Sequence, residues 1–355
     1  MKVVKKILKA LLVIVIVLIV LVAALLVWLT VVEYRPQDLE TVTVESVGGE
    51  AKTLAAGDTI NIMAWNIGYG ALGDNADFFM DGGSMVYTAD NARVQTNLDA
   101  IVSEVRSENA DILMLQEIDL DSSRSYHIDE TNYFDTLGFN NMAFANNFKV
   151  AYFPFPIPPY GKIDSGIATY SSYATTSAER VQLPCPFSWP VKTINLKRCL
   201  LITRIPVEGG KELVIVNLHL EAYDDGEGKA AQAQMLMDIL NEETAKGNYV
   251  IAGGDFNQSF SNVQNNYPVF AEQWQPAFMD VSPFADEWQF IMDNETPTCR
   301  SLYTPLAGND PDSLQYYMID GFIVSSNITV NSYEIRNLGF ANSDHNPQVI
   351  NITLN

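Results

Sequence analysis

The stretch Glu212–Asn257, ELVIVNLHLEAYDDGEGKAAQAQMLMDILNEETAKGNYVIAGGDFN, decides the fold class. Its β-branched runs LVIV and YVIA flank a segment in which Ala233, Leu236, Met237 and Leu240 recur at helical spacing, and Lys246-Gly247 supplies a stop. Strand, helix and strand in succession argue for an α/β domain. The alternation continues on both sides. Further strand candidates are TINIMAWN, DILMLQEI, GIATYSS, RCLLITRIPV, YMIDGFIVS, NSYEIRNL and PQVINITLN, and Val94, Leu98, Ile101, Val102 and Val105 form a second helical stripe behind a Thr88/Asp90 cap. There is no internal repeat and no second shift in composition, so residues 59–355 read as one domain. The 48% hydrophobic content of the 355 residues is ample for its core.

Both runs of the opening stretch end in polar groups, Asn217 and His219 in the first, Asp255 and Asn257 in the second. Others do the same: IMAWN ends in Asn66, ILMLQE in Gln116-Glu117 and YMID in Asp320, while SDHNP sets Ser343, Asp344 and His345 just before the last strand. One such group is an ordinary strand-end turn. Carboxylates and amides are depleted from strands, however, and so many together point to a gathered site. The residue types suit hydrolysis of a phosphate ester with a hard divalent ion. Magnesium takes one or two carboxylates plus waters and substrate oxygens, which Glu117 with Asn66 nearby would supply. No thiolate cluster or H-E-x-x-H pattern indicates zinc. Asp255 is a candidate base for the attacking water, and His219, His345 and Asn257 are candidate donors to the phosphoryl oxygens.

The ordered blocks MAWNIG, LQEID, NLHLEAYD, GGDFNQ, IDGFIVS and SDHNP resemble the exonuclease-endonuclease-phosphatase superfamily, which includes deoxyribonuclease I-like nucleases, apurinic endonucleases, inositol polyphosphate 5-phosphatases and neutral sphingomyelinases. The resemblance runs from about Thr59 to Asn355. It implies a four-layered α/β sandwich, two mixed β-sheets packed face to face with helices outside, and a site at one end. It further implies that Glu117 is the main metal ligand, supported by Asn66, with Asp344 joining directly or through water. Asp255 would orient or deprotonate the attacking water, Asn257 would hold it and a phosphate oxygen, and His219 would contact the phosphate. Asp320 would pair with His345, fixing its tautomer and favouring imidazolium against the phosphate.

The first residues are of another kind. Lys2, Lys5, Lys6 and Lys9 precede an uncharged run from Ala10 to Val32, long enough as a helix to span a bilayer and too long for a secretory signal. Residues 1–9 therefore read as a cytoplasmic basic tail, 10–32 as a single transmembrane helix, and 33–58 as a polar extracytoplasmic tether with one short strand in TVTVESV. The chain carries a net charge of −22, and all its acidic residues follow the apolar run. Such a surface repels polyanions at long range, which weighs against a nuclease on long nucleic acid. Cys185, Cys199 and Cys299 are no disulfide framework; one Cys185–Cys199 bridge and three free thiols stand as alternatives.

Arg124, within DSSRSYHID, could clamp a phosphate bidentately, as a comparable Arg-Ser in sphingomyelinase-like members implies, or make a surface salt bridge. His127 reads as a loop histidine. Asp74, Asp77 and Asp81 do not follow an EF-hand spacing and read as a surface insertion lining the cleft, with calcium binding the lesser alternative. YFPFPIPPYGK reads as a proline-stiffened lid beside the cleft or an apolar lip dipping into the outer leaflet. The expectation is a membrane-anchored, monomeric, extracellular phosphodiesterase that uses magnesium, with manganese or calcium as alternatives, and attacks in line with an activated water. A small or lipid-borne substrate, including a phospholipid, is favoured over nucleic acid. A cell-surface endonuclease or exonuclease, and a non-catalytic binding module on the same fold, are the rivals.

Overall fold

Period-two alternation explains how the two runs of the opening stretch are buried on both faces. Leu213 and Ile215 face a layer shared with Ile60, Ile62, Ile112, Met114, Ile251 and Ile350, whereas Val214, Val216 and Leu218 pack with Leu236, Met237 and Leu240 of the intervening helix. Strands covered on both sides carry continuous apolar sequence, which is why these runs stand out. Truncating one of these side chains, as in Ile251→Ala, would cost about 2–5 kcal/mol. The computed structural model describes residues 2–224 and 226–355.

Among the described residues, two seven-stranded sheets form the inner layers. The first runs β1 (Leu39–Val42), β7 (Ser177–Gln182), β8 (Cys199–Val207), β9 (Lys211–His219), β10 (Tyr249–Asp255), β16 (Asp320–Ser325), β13 (Trp288–Ile291). The second runs β17 (Ile328–Ile335), β18 (Gln348–Leu354), β3 (Thr59–Asn66), β4 (Ile112–Asp119), β6 (Gly161–Ser171), β5 (Asn141–Phe153), β2 (Val44–Ser46). Two small pairs, β11 (Gln258–Phe260) with β12 (Ala277–Met279) and β14 (Cys299–Arg300) with β15 (Tyr316–Tyr317), lie outside them. Each large sheet has one parallel pair, β9–β10 and β3–β4, and is otherwise antiparallel. The crossovers carry helices α4 (Glu227–Ala245) and α2 (Asn91–Glu108). Helix α2 packs Val94, Leu98, Ile101 and Val105 with Met63, Trp65, Leu113 and Leu115 on the outer face of the second sheet. Its start is capped by Asp90, which accepts from Arg93 N at 2.8 Å. A short helix α3 (Thr131–Phe134) follows β4. The expected four-layered sandwich of mixed sheets is therefore the observed fold.

The N-terminal segment departs from the expected tether. Helix α1 (Lys2–Val31) is long and apolar enough to cross a membrane, but its last turn is fastened to the domain. Leu29 is buried in the same cluster as Ile194, α1 meets the Val191–Ile194 turn, and Trp189 donates to Thr30 Oγ1 at 3.1 Å. Beyond it Glu33 pairs with Lys197 at 3.1 Å, and residues 39–46 add β1 and β2 to the edges of the two sheets. Edge strands need backbone partners more than apolar side chains, so a short polar segment can be recruited. The three cysteines are free: Cys185 is exposed, and Cys199 and Cys299 are buried.

Candidate active site

The two parallel pairs end side by side, and their C-terminal ends carry the site. Asn66 closes β3, Glu117 lies near the end of β4, His219 closes β9 and Asp255 closes β10. In register, Asp255 has His219 on one side and Asp320 on the other. Beneath them the sheets are joined by a polar rung: Gln116 donates to Asn217 Oδ1 at 2.7 Å, and Asn217 donates to the Ala168 carbonyl at 2.8 Å. These two strand-end amides brace the sandwich below the site. Gly254 lets the layers close there, because a Cβ would lie 2.9 Å from Gln116 Nε2 of the other sheet and 2.2 Å from the Leu218 carbonyl oxygen of the adjacent strand.

Glu117 is aimed by a backbone irregularity. The β4–β6 register shifts between Gln116 and Ile118, and Glu117 adopts φ +54°, so the bulge turns its carboxylate to the strand-end side. Asn257 at φ +51° and Tyr69 at φ +42° are likewise left-handed without being glycine, a cost that recurs at functional sites. Asn66 Nδ2 lies 3.0 Å from Asp255 Oδ2 and 3.2 Å from Glu117 Oε1, bridging the two carboxylates. Asp255 Oδ1 accepts from Asn257 N at 2.8 Å, while Asn257 Nδ2 is directed to the Leu220 carbonyl. His219 Nε2 stands 3.4 Å and His345 Nε2 3.7 Å from Asp255 Oδ2. His345 Nδ1 meets Asp320 Oδ2 at 2.9 Å. The loop before β18 is locked from behind, since Ser343 Oγ donates to the Asn66 carbonyl and Trp65 Nε1 to the His345 carbonyl.

Burial and neighbouring charge set the protonation states. Burial, reinforced by Asp320, pushes the Asp255 carboxyl up to about 7, and burial pushes Asp344 up to about 6. His219 is driven well below the ordinary histidine value by burial and by the charges of Arg198 and His345, and is neutral. Burial also opposes charge on His345, but Asp320 and its other neighbours outweigh it and hold the ring protonated well above its usual range. The groups fit a hard cation. Among the described residues Asp344 Oδ1 is buried without a partner, and with Glu117 it offers carboxylate oxygens; Asn66, expected to support the metal, turns its amide oxygen to Gly68 N at 3.1 Å and its Nδ2 to the carboxylates. The cluster Cys299, Asp344 and His345 suits a soft metal less, because burial pushes the Cys299 thiol up to about 12.

Arg124 does not present the expected fork. Its Nε and Nη2 close on Asp119 at 3.0 and 2.9 Å, Nη1 reaches Tyr160 Oη, and the guanidinium lies 3.6 Å from the centre of the Tyr69 ring. It is neither a surface salt bridge nor free to clamp bidentately, because Asp119 already fills that geometry. His127 is an exposed loop residue paired with Asp121. The three aspartates of the 68–90 insertion diverge: Asp74 pairs with Arg93, Asp77 accepts from the Ser84 and Met85 N–H groups, and Asp81 accepts from Tyr223 Oη at 2.8 Å. They make no shared calcium cage, and only Asp81 lines the cleft.

From the reacting groups a cavity of about 240 Å³ extends between apolar walls. Phe78, Phe153, Ile194, Leu196 and Trp274 line it, and Phe155 and Val191 stand half-exposed at its margin. The proline-rich segment thus contributes both to the packed wall, through buried Phe153 and Tyr160, and to an apolar protrusion at Ile157, 94% exposed.

Residues 63–345 match the model of the Endonuclease/Exonuclease/phosphatase family. No curated protein matches the chain by sequence. Among solved structures it is similar to an endonuclease/exonuclease/phosphatase from Beutenbergia cavernae DSM 12333, with 17% identity, TM-score 0.58, and coverage of 83% of this chain and 72% of that one. It is also similar to ANGEL2, a 2',3'-cyclic phosphatase, with 13% identity, TM-score 0.53, and coverage of 89% and 99%. The human Nocturnin catalytic domain with bound sulfate anion gives 17% identity, TM-score 0.51, and coverage of 88% and 98%. At such identities the structural likeness establishes the fold.

Proposed function

The chain belongs to the Endonuclease/Exonuclease/phosphatase family and is a divalent-metal-dependent phosphoric ester hydrolase; from that premise we propose a membrane-anchored, extracytoplasmic phosphodiesterase whose substrate is small or lipid-borne. Residues 1–9 are its cytoplasmic tail, 10–32 its span, and the rest faces outward. The observation that carries the lipid preference is the apolar cavity, one wall of which, Val191–Ile194, also receives the end of the long apolar helix. A substrate with a hydrocarbon part would find both its chain-binding walls and its phosphate-binding groups in one continuous space.

In this reading Glu117 would hold a divalent ion, magnesium by preference, with Asp344 adding to the oxygen set and Asn66 steadying the Glu117 carboxylate through Nδ2; the ion would supply positive charge against the phosphoryl oxygens. Asp255 in its ionised form orients a water and takes its proton, while the Asn257 backbone N–H fixes that carboxylate. His345, kept as imidazolium by Asp320, donates from Nε2 to the oxyanion that grows as the water attacks in line. Neutral His219 contacts the phosphoryl group beside it. The buried setting excludes bulk water and strengthens each of these contacts.

Purified full-length protein in lipid nanodiscs, offered choline phospholipid, bis-p-nitrophenyl phosphate or duplex DNA with and without magnesium, tests the assignment. The expected result is magnesium-dependent cleavage of the two diesters other than DNA. Preferential cleavage of DNA would establish the nuclease alternative instead. Orientation is checked separately: a membrane-impermeant maleimide should label exposed Cys185 on intact cells, and labelling only after lysis would reverse the topology.

A further inference from the structure

Among the described residues, Arg198 is a buried cation with idle donors. It is 3% exposed and lines the cavity with His219, Asp255 and Asn257, yet neither Nε nor Nη1 has a hydrogen-bond partner. Its carboxylate neighbour, Glu221 Oε2, stands 3.9 Å from Nε, close enough to balance charge and too far to accept a hydrogen bond; that oxygen is itself unpartnered. The other oxygen of Glu221 is engaged by the N–H groups of Ala222 and Tyr223, each at 3.1 Å. The backbone of Arg198 is fixed, because its carbonyl accepts from Leu183 N at 2.9 Å and Gln182 Nε2 at 3.0 Å. Arg124 provides the contrast: it lines the same cavity and spends Nε and Nη2 on Asp119.

A buried guanidinium with unused N–H groups carries a desolvation cost that an incoming anion removes. A planar guanidinium presents paired N–H groups that match the oxygens of a tetrahedral oxyanion, and among the described residues no carboxylate occupies that fork on Arg198 as Asp119 does on Arg124. We propose that Arg198 is the cation that grips the substrate's phosphoryl group, its guanidinium N–H groups donating to the non-bridging oxygens beside His219. The ligand class is a phosphate mono- or diester, with inorganic phosphate as its simplest representative. This assignment rests on the phosphodiesterase reading for its substrate, but its binding test does not require turnover.

The experiment uses the full-length protein in detergent micelles, with inorganic phosphate and magnesium binding measured by calorimetry and initial rates measured on bis-p-nitrophenyl phosphate. Arg198→Met leaves Glu221 buried without its counter-charge, so the pair Arg198→Met/Glu221→Gln is measured beside it, and thermal melting reports folding. Phosphate affinity should fall about 30-fold or more in the pair variant and about fivefold in Arg198→Lys, which keeps the charge and loses the fork. Magnesium affinity should stay within about twofold of wild type, and KM should rise more than kcat falls. Unchanged phosphate affinity in a normally melting pair variant overturns the proposal, as does absence of phosphate binding by the wild type. Arg198-dependent phosphate binding without diester turnover sustains this assignment and defeats the proposed reaction. Turnover with an unaltered KM in the pair variant does the reverse.

Discussion

The two sides of the site are wired differently. On the His345 side the ring and its loop are held in advance: Nδ1 rests on Asp320, the His345 carbonyl is held by Trp65, and the preceding turn is pinned through Ser343, with Asp344 Oδ1 left for the ion. On the His219 side, His219 Nδ1, Arg198 Nε and Nη1, and Glu221 Oε2 are buried without hydrogen-bond partners among the described residues. Satisfied networks fix geometry, while idle buried donors store a deficit that a ligand can relieve. Under the proposed reaction the first side would be preorganised to stabilise a developing charge, and the second would be completed when substrate arrives. Losses on the first side should fall mainly on kcat, and losses on the second mainly on KM.

The most damaging change should be His345→Gln, lowering kcat about 1000-fold because the charged donor is gone. Next is Asp320→Asn, expected to lower kcat about 100-fold at pH 8. The sign follows from the raised value of His345: without the carboxylate the ring loses its proton at lower pH, so the alkaline limb of the pH–rate profile should move downward. A profile with an unmoved alkaline limb would break the assignment of His345 as the acid. His219→Gln should raise KM about tenfold and leave kcat nearly intact, since the glutamine amide can replace a neutral donor; an equal loss in kcat would erase the distinction between the sides. The smallest effect concerns protons. With Asp255 near 7 and Asp344 near 6, ion binding at pH 6 should displace protons that are already gone at pH 8.5. Calorimetry in two buffers of different ionisation enthalpy would detect this, and equal release at both pH values would argue against Asp344 serving the ion and Asp255 lying within its field.

Much of this could be read from the chain. β3, β4, β9 and β10 are apolar on both faces, so they stand out as runs, and their polar ends are conspicuous for the same reason. β5 was not legible: its Asn140-Asn141 start, the Asn146-Asn147 pair and register shifts after Asn146 and Val150 break any clean period. TVTVESV is legible as one short strand, but its division into β1 and β2 at the edges of two sheets is not, because that pairing is a backbone matter. The choice between two arginines also lay beyond the sequence. Arg124 and Arg198 are equally basic on paper, and only the placement of Asp119 against the former and the 3.9 Å gap between the latter and Glu221 separate them. Glu117 was visible as a residue, but the bulge that aims it was not.

The knitting of residues 39–46 into both sheet edges, together with Trp189 on Thr30, has a mechanical consequence. A domain on a slack leash would tumble over its anchor and sample every orientation; this one is coupled to its helix almost as a blade to a handle. In a bilayer such coupling would hold the cavity mouth at a nearly constant height and tilt, so the search for substrate would become two-dimensional, governed by lateral diffusion. Lengthening the junction between Val32 and Leu39 with a flexible insert would loosen that aim while leaving the reacting groups untouched.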